Sequence, residues 1–150
     1  QRSAGDVITG GTSPDQVATL LSEGRQLMGD GDSSEALQRY MSVLDIDANN
    51  VEARTYAGWI LANSSLSEPT EVANSTLANG EKFLQQAITL DPTYADPHCF
   101  LALIAGVIDN DTPTALSREK ECLALDPSSD MQGLMTEYID PLKDPPTTTQ

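Results

Sequence analysis

The sequence is poor in the residues from which most catalytic and metal sites are built. It has one histidine, one tryptophan, two cysteines and 5% aromatic residues. His98 and its neighbour Cys99 supply only two metal ligands, too few for a structural zinc site, and any Ser/His/Asp triad would have to be built around His98. Phosphate-binding loops, haem-attachment motifs and a supported carboxylate pair are absent as well. We therefore predict that the chain is not an enzyme and expect no catalytic residue, metal or cofactor; His98, next to Pro97, is expected on a helix surface.

Cations are also scarce, which leaves the chain strongly acidic. It has 23 acidic and 8 basic residues, a formal net charge of −15. This balance repels nucleic-acid phosphates and anionic membrane surfaces, and no basic cluster overrides it locally. We therefore expect no nucleic-acid partner and no direct membrane contact by this domain. Two interpretations of the charge stay open: it keeps the chain soluble, or it attracts a basic partner.

Small residues recur at a spacing that predicts a helical repeat. Gly24 and Gly58 lie 34 positions apart, each in a small-residue position of a helical pattern. The unit that begins at Val17 continues through Gly24, Ala36 and Tyr40. Paired helices approach closely only where side chains are small, so we expect Gly24 to face Ala36. One helical hairpin cannot bury its apolar face alone, so further copies must stack on it.

Two further copies of the unit follow. The second, over 51–94, has an excess of ten residues, which we place in an enlarged Ser/Thr/Asn-rich turn near 64–78. The third, over 95–129, has one extra residue in its turn. An apolar stripe then predicts a capping helix over 130–142 that begins after Ser128 or Ser129 and ends near Pro141. That stripe consists of Met131, Leu134, Met135, Tyr138 and Ile139.

The repeated pattern resembles the tetratricopeptide repeat (TPR) family. Gly24, Ala36, Tyr40 and the turn at Ala48 match the family's order of small residue, small residue, aromatic residue and break. The resemblance implies an all-α fold, a right-handed α-solenoid of three TPR-like helix hairpins plus a C-terminal capping helix. The repeats would cover about 17–50, 51–94 and 95–129 of a domain that extends over 14–142.

The two ends of the chain lack apolar periodicity. We expect a flexible N-terminal lead over 1–13 and a flexible tail over 143–150. Because Gln1 is not an initiator methionine, we expect a processed or truncated product. A removed membrane anchor would leave such a lead, and so would an ordinary domain boundary. We favour the extracytoplasmic side of a bacterial membrane, with the cytoplasm as the alternative.

The cysteines leave the compartment open. Cys99 and Cys122 lie in the two helices of the third copy, but the repeat register does not place them directly opposite each other. We therefore favour two buried or half-buried thiols over a disulfide, which needs Cα atoms within about 7 Å.

Three Asn-x-Ser/Thr sequons, at Asn63, Asn74 and Asn110, are attributed to the biased composition rather than to glycosylation.

The TPR resemblance implies a concave groove lined by the first helix of each repeat. Of the positions that form the family's clamp for an acidic C-terminal peptide, only Arg25 can bind a carboxylate. A mainly apolar groove with acidic flanks suits a basic amphipathic helix instead, so the expected partner is a protein or peptide. Trp59 is the residue of this groove that we expect to contribute most to the binding free energy. The groove positions carried over are Leu21, Arg25, Met28, Thr55, Tyr56, Trp59, Asn63, Phe100, Leu103 and Val107.

Within the TPR family, the chain resembles the extracytoplasmic TPR domains of bacterial cytochrome c maturation proteins. The resemblance lies in the three-repeat size and in the runs Gly58–Ala62 and Asp91–His98. It implies a membrane-anchored module that presents apocytochrome c for haem attachment. The alternative is a structural scaffold that self-associates through the groove or the end helix, which exposure of Met131, Met135 and Tyr138 would favour.

Overall fold

The computed structural model describes residues 13–144, and helices follow one another along this range. The helices are α1 (Ser13–Gly29), α2 (Ser33–Ile46), α3 (Val51–Ser64), α4 (Thr70–Leu90), α5 (Ala95–Leu103), α6 (Thr112–Ala124) and α7 (Ser129–Leu134). Helix α5 continues through a π-helical turn over Ile104–Ile108, and α7 continues through Met135–Ile139 and a 3-10 turn over Asp140–Leu142. The predicted all-α solenoid is confirmed. The predicted lead and tail lie mostly outside the described residues, although α1 already begins at Ser13.

Polar side chains fix where several helices begin. The Asn50 side chain accepts a hydrogen bond from the backbone N–H of Ala53 at 2.9 Å, at the start of α3. Ser128 caps α7 in the same way through the N–H of Met131, as predicted. Such caps satisfy backbone donors that have no partner inside the helix, which stabilises the helix end by roughly 1 kcal/mol.

The close contact inside each of the first two hairpins is formed by glycine, but the side chain nearest to the first glycine is not the one predicted. A Cβ added at Gly24 would lie 2.8 Å from the ring of Tyr40, so Gly24 faces Tyr40 rather than Ala36. The large ring fills the space that the missing side chain leaves. In the second hairpin, Gly58 and Gly80 face each other, and a Cβ on either would lie within 2.8 Å of the other's carbonyl oxygen.

The predicted enlarged turn near 64–78 is wrong, because most of the extra residues extend helices. A 3-10 turn over Ser65–Ser67 prolongs α3, and α4 begins at Thr70. The hydroxyls of Ser64 and Ser75 each donate to a carbonyl three residues earlier in the same segment. Serine can therefore occupy an exposed helix, and a Ser/Asn-rich composition does not by itself specify a loop. The second hairpin is thus longer than the first.

The single extra residue of the third copy lies in a helix and not in the turn. The hairpin turns at 30–32 and 109–111 have equal length, while α5 ends in the π-helical turn over Ile104–Ile108. There the N–H of Asp109 donates to the carbonyl of Ile104 at 2.9 Å. A π-turn accommodates one inserted residue without breaking the helix. Asn110 then reverses the chain with a φ of 55°, which asparagine adopts more easily than most residues.

Cys99 and Cys122 form a disulfide, contrary to the prediction of free thiols. Their Cα atoms are 4.9 Å apart and both side chains are fully buried between α5 and α6. The buried alanines Ala102 and Ala115 line the same hairpin, and their small side chains let the two helices approach closely. Counting residues along the repeat missed this pairing because it does not determine how each helix is rotated.

His98 is likewise more buried than a helix-surface residue. Its side chain is 12% exposed, and its Nδ1 lies 3.5 Å from a carboxylate oxygen of Glu121. It packs in the same helix pair as the disulfide, since Glu121 precedes Cys122 on α6. The position next to Pro97 did not predict exposure, because Pro97 is itself buried.

The C-terminal segment closes the solenoid. Met131, Met135 and Ile139 of the predicted stripe are buried, and a Cβ at Gly106 would lie 2.9 Å from the Cδ1 of Ile139. Tyr138, in contrast, is exposed. The segment therefore packs its apolar face against the third hairpin, as a terminal cap must.

A buried carboxylate fixes the far end of this cap. Glu119 is 2% exposed and corresponds in the repeat to Tyr40. Its Oε1 lies 3.0 Å from the Nζ of Lys143, which also contacts Asp140 at 2.9 Å. Burial and a hydrogen bond with Asp140 raise the pKa of Glu119, with Lys143 acting in the opposite direction. Lys143, predicted to begin the flexible tail, thus holds the chain against α6.

The apolar interior falls into two clusters. One surrounds the first hairpin and part of α3, with Tyr40 and Val43 at its centre. The other joins the second and third hairpins to the cap, with Leu84 and Ile104 fully buried. Tyr56 packs against both clusters and connects them.

Within residues 13–144, no helix has the length and apolar character needed to cross a membrane.

Candidate peptide-binding surface

The predicted groove residues divide into accessible and buried groups. Arg25, Asn63 and Val107 are exposed, and Met28, Tyr56 and Trp59 are partly exposed. The other four, Leu21, Thr55, Phe100 and Leu103, are buried. Thr55, for example, is fully buried and donates its hydroxyl to the carbonyl of Val51 at 2.8 Å. These four support the surface from below, and a peptide lying on it would not reach their side chains.

Aromatic rings from all three repeats form a continuous row beneath and along this surface. Tyr40 stacks on Tyr56 with ring centroids 5.8 Å apart, and Tyr56 meets the edge of Phe100 at 5.4 Å. Phe100 in turn stacks on Trp59 at 4.8 Å, with the two ring planes 10° apart. Such pairs contribute about 0.5–1.5 kcal/mol each beyond the area that they bury. The row therefore fixes the orientation of Trp59, whose indole stays partly accessible.

A tyrosine–aspartate cluster lies beside the aromatic row. Asp96 accepts hydrogen bonds from the hydroxyl of Tyr56 at 2.7 Å and from that of Tyr94 at 3.0 Å. Burial raises the pKa of both phenols well above the ordinary value of 10.0, and the Asp96 carboxylate raises it further. Both phenols therefore remain protonated donors at neutral pH, and Asp96 is held in one orientation by two of them.

Arg25 is already occupied by an acidic partner on the neighbouring repeat. Its Nε and Nη2 donate to the two carboxylate oxygens of Glu52, each at 2.7 Å. This paired hydrogen bond raises the pKa of Arg25. The one groove position suited to a carboxylate ligand is thus neutralised within the chain, which weakens it as a receptor for an acidic peptide end.

Trp59 forms one wall of a pocket of about 300 Å³ where the first hairpin turn meets the end of α3. Its apolar walls come from Met28, Leu37, Trp59 and Ile60, and the polar groups around it belong to Ser33, Ser34, Asn63 and Ser64. Trp59, Met28 and Asn63 were predicted at this surface. Ser33, Ser34 and Leu37 were not predicted, because the groove was expected to be lined by the first helix of each repeat and these three lie on α2. Ile60 and Ser64 lie on α3 beside predicted positions but were not among them. The position of Ser33 immediately after the turn was the available signal. The pocket has the size and lining for one apolar side chain.

The side chains of this surface can hold a bound chain through hydrogen bonds and apolar contacts. Among residues 13–144, no group of three or more histidine, cysteine, aspartate or glutamate side chains is placed to hold a metal ion. The polar groups that it presents are phenols, an amide, hydroxyls and paired charges. Such groups orient a bound chain through hydrogen bonds, while the apolar walls provide most of the favourable free energy.

Comparison with known proteins identifies the fold. No protein-family model and no curated protein sequence matches the chain. Among solved structures, a mutant O-GlcNAc transferase from Thermobaculum terrenum is similar, with a TM-score of 0.66 and 20% sequence identity. The match covers 79% of this chain and 21% of that one, so the chain spans about a fifth of the transferase's length. At this identity the likeness shows the fold alone. The fold of this chain is a TPR-like helical solenoid.

The helical solenoid offers an extended surface. Its stacked hairpins place side chains from three repeats on one continuous surface, which a single helix pair does not offer. In this chain that surface carries the aromatic row and the pocket beside Trp59.

Proposed function

We propose that this module binds a peptide or helix of a partner protein and that one apolar side chain of the partner enters the pocket beside Trp59. The observation that carries the proposal is the partly exposed indole, stacked on Phe100 and forming a wall of a 300 Å³ pocket. A rigid aromatic residue at the edge of a pocket is the usual setting of an interface hot spot. The row of rings behind it keeps the indole in place before binding.

The surrounding charge supports a basic amphipathic partner. Asp30, Asp32 and Glu35 are exposed next to Ser33 and Ser34, which line the pocket. The formal net charge of −15 adds a long-range attraction for a cationic helix. Arg25, which would favour an acidic peptide, is paired with Glu52. An apolar anchor followed by lysine or arginine is thus the ligand pattern that fits.

We also propose an extracytoplasmic location and a role in cytochrome c maturation. The Cys99–Cys122 disulfide supports the location, because such bonds persist in oxidising compartments and are rare in the cytosol. The maturation role rests on the resemblance of the Gly58–Ala62 and Asp91–His98 runs to that subfamily. A basic helix of an apocytochrome c would then be the partner.

Self-association is the alternative function. Val107, Leu123 and Tyr138 remain 47%, 43% and 45% exposed and provide apolar surface for a second copy. Met131 and Met135 are buried, so the end helix offers less apolar surface for this than its sequence indicates. A light-scattering concentration series tests the alternative: a molar mass that doubles with concentration supports it, and a constant monomer mass rejects it.

The direct test is binding of fluorescently labelled basic amphipathic helical peptides, an apocytochrome c helix among them, to the wild type and Trp59→Ala. We expect Trp59→Ala to weaken binding by more than about 1 kcal/mol. Leu66→Ala is the matched control, since Leu66 is 60% exposed and lies outside the pocket. Circular dichroism checks that each variant is folded. Equal binding by the folded Trp59→Ala variant, or no binding of any peptide by the wild type, would reject the proposal.

A further inference from the structure

The described cations divide into paired and unpaired groups. Within residues 13–144, Arg25, Arg39, Arg118 and Lys143 each contact a carboxylate within 4.0 Å. Arg54, Lys82 and Lys120 are the three described cations that have no carboxylate partner within this range of the chain. Two of these three, Arg54 and Lys82, lie in the same pocket.

That pocket lies between the turn that precedes α3 and the C-terminal half of α4, and its volume is about 390 Å³. Besides the two cations, the amides of Asn49, Gln85 and Gln86 and the hydroxyl of Thr89 line it. It shares no residue with the pocket beside Trp59. Nearly every side chain in its wall can therefore donate a hydrogen bond, and two carry a positive charge.

Arg54 is held in place before any ligand arrives. Its Nε donates to the carbonyl of Ala48 at 2.9 Å, and its Nη1 donates to the Oε1 of Gln86 at 2.7 Å. Its guanidinium also lies over the ring of Phe83, 5.4 Å from the centroid. These contacts use only part of the five N–H donors of the group and leave Nη2 without an acceptor among residues 13–144. A fixed guanidinium loses little conformational entropy when it binds an anion.

The acidic residues on either side of this turn in the sequence are engaged elsewhere: the Glu52 carboxylate accepts two hydrogen bonds from Arg25, each at 2.7 Å. Asp47 accepts hydrogen bonds from the backbone N–H of Asn49 at 3.2 Å and from the side chain of Asn50 at 3.4 Å. Its carboxylate is thus engaged within its own turn and does not neutralise Arg54. More distant acidic residues are screened over about 8 Å at physiological salt. Among the described residues, no carboxylate therefore forms an ion pair with either cation of this pocket.

We propose that Arg54 and Lys82, together with the amides around them, form a binding site for an oxyanion, a phosphate or a carboxylate group. The guanidinium provides directional N–H donors, and the ammonium provides a mobile second charge. Phosphate and carboxylate groups can both accept paired hydrogen bonds from a planar guanidinium and interact with the compact charge of an ammonium group. The site is independent of the peptide-binding surface.

The test is a nuclear magnetic resonance titration of isotope-labelled protein with inorganic phosphate and, separately, with acetate, each compared with chloride at equal ionic strength. We expect the Arg54 side-chain N–H signals to shift with the oxyanions and not with chloride. Stronger binding of phosphate identifies a phosphate ligand as the source, and equal or stronger binding of acetate identifies a carboxylate. Equal shifts with chloride, or no shift with any anion, would overturn the proposal.

Substitutions make the test specific. Lys82→Gln removes an exposed charge without disturbing the packing and is expected to weaken binding of the oxyanion by about 1.4- to fivefold, the usual range for an exposed ion pair. Lys120→Gln is the matched control, because Lys120 is also exposed and unpaired among the described residues but lies on α6. Arg54→Gln should abolish binding, and circular dichroism shows whether it is folded. If Lys82→Gln and Lys120→Gln bind like the wild type, the site is not at this pocket.

Discussion

The indole of Trp59 lies parallel to the ring of Phe100, with centroids 4.8 Å apart, although the two residues belong to different repeats. Phe100 is 3% exposed and also meets the ring of Tyr56, so it holds the second and third repeats together. We expect Phe100→Ala to lower the free energy of unfolding by about 3–5 kcal/mol, because a buried ring leaves a cavity. Fluorescence of Trp59 during denaturant unfolding measures the loss. A change below about 1 kcal/mol would show that the stack is not structural.

The contact between Gly58 and Gly80 predicts that neither position tolerates a methyl group. An alanine at Gly58 would place its Cβ 2.8 Å from the carbonyl oxygen of Gly80, so the helices would have to separate. We expect Gly58→Ala to destabilise the chain by about 1–3 kcal/mol despite the better helix propensity of alanine.

Gly133 provides the control for this substitution. It lies in α7, and a Cβ added there meets nothing within 4 Å. Gly133→Ala should therefore stabilise the chain by up to about 1 kcal/mol. Thermal unfolding of both variants measures the two effects. Equal shifts of the melting temperature would contradict the difference in packing.

The Cys99–Cys122 bond closes a loop with a sequence separation of 23. A crosslink over such a loop stabilises a protein by about 3 kcal/mol, mainly by restricting the unfolded chain. We expect the Cys99→Ala/Cys122→Ala double variant to lose about this amount in denaturant unfolding, with helical content retained. A reductant should lower the stability of the wild type and leave the double variant unchanged. If the reductant also destabilises the double variant, its effect does not come from this bond.

Glu119 predicts a pH dependence of stability. Burial raises its pKa above the ordinary value of 4.5, so the folded chain binds a proton more tightly than the unfolded chain. The stability that this proton provides is present below pH 4.5 and is lost as the pH rises through the raised pKa. We expect Glu119→Gln to remove this part of the pH dependence, because glutamine does not titrate.

Denaturant unfolding of the wild type and Glu119→Gln over this pH range measures the difference. Hydrogen bonds with Glu119 and Lys143 hold the pKa of Asp140 below its ordinary value of 3.8. The two proteins are therefore compared above pH 4.5, where Asp140 does not titrate. Parallel stability curves for the two proteins would show that Glu119 has the same pKa in the folded and unfolded chains.

The sequence predicted the solenoid because its repeats depend on periodic, local features. Small residues at Gly24 and Gly58, the cap at Ser128 and the stripe ending at Ile139 can each be recognised from spacing. It did not predict how the extra residues are accommodated. A helix can lengthen or take up a π-turn, and the choice depends on packing partners such as Gly80 that are distant in sequence.

The candidate site was only partly predictable for a related reason. The helix that carries Trp59 follows from the repeat register, so its position on the accessible surface was predicted. The burial of Thr55 and Phe100 depends on the rotation of α3 and α5, and the disulfide depends on the rotation of α5 and α6. A rotation of a few tens of degrees moves a side chain from solvent into the interior, and residue counting does not determine it.

The division of the apolar interior into two clusters has a consequence for how the chain comes apart. Repeat arrays lose their order unit by unit when one interface is weaker than the others. Here the first hairpin joins the rest largely through α3 and Tyr56, whereas the third hairpin is crosslinked and closed by the cap. We therefore expect amide hydrogens of α1 and α2 to exchange first, as one group, while α5 and α6 are still protected. The N-terminal hairpin would be the part of this chain that a protease reaches first.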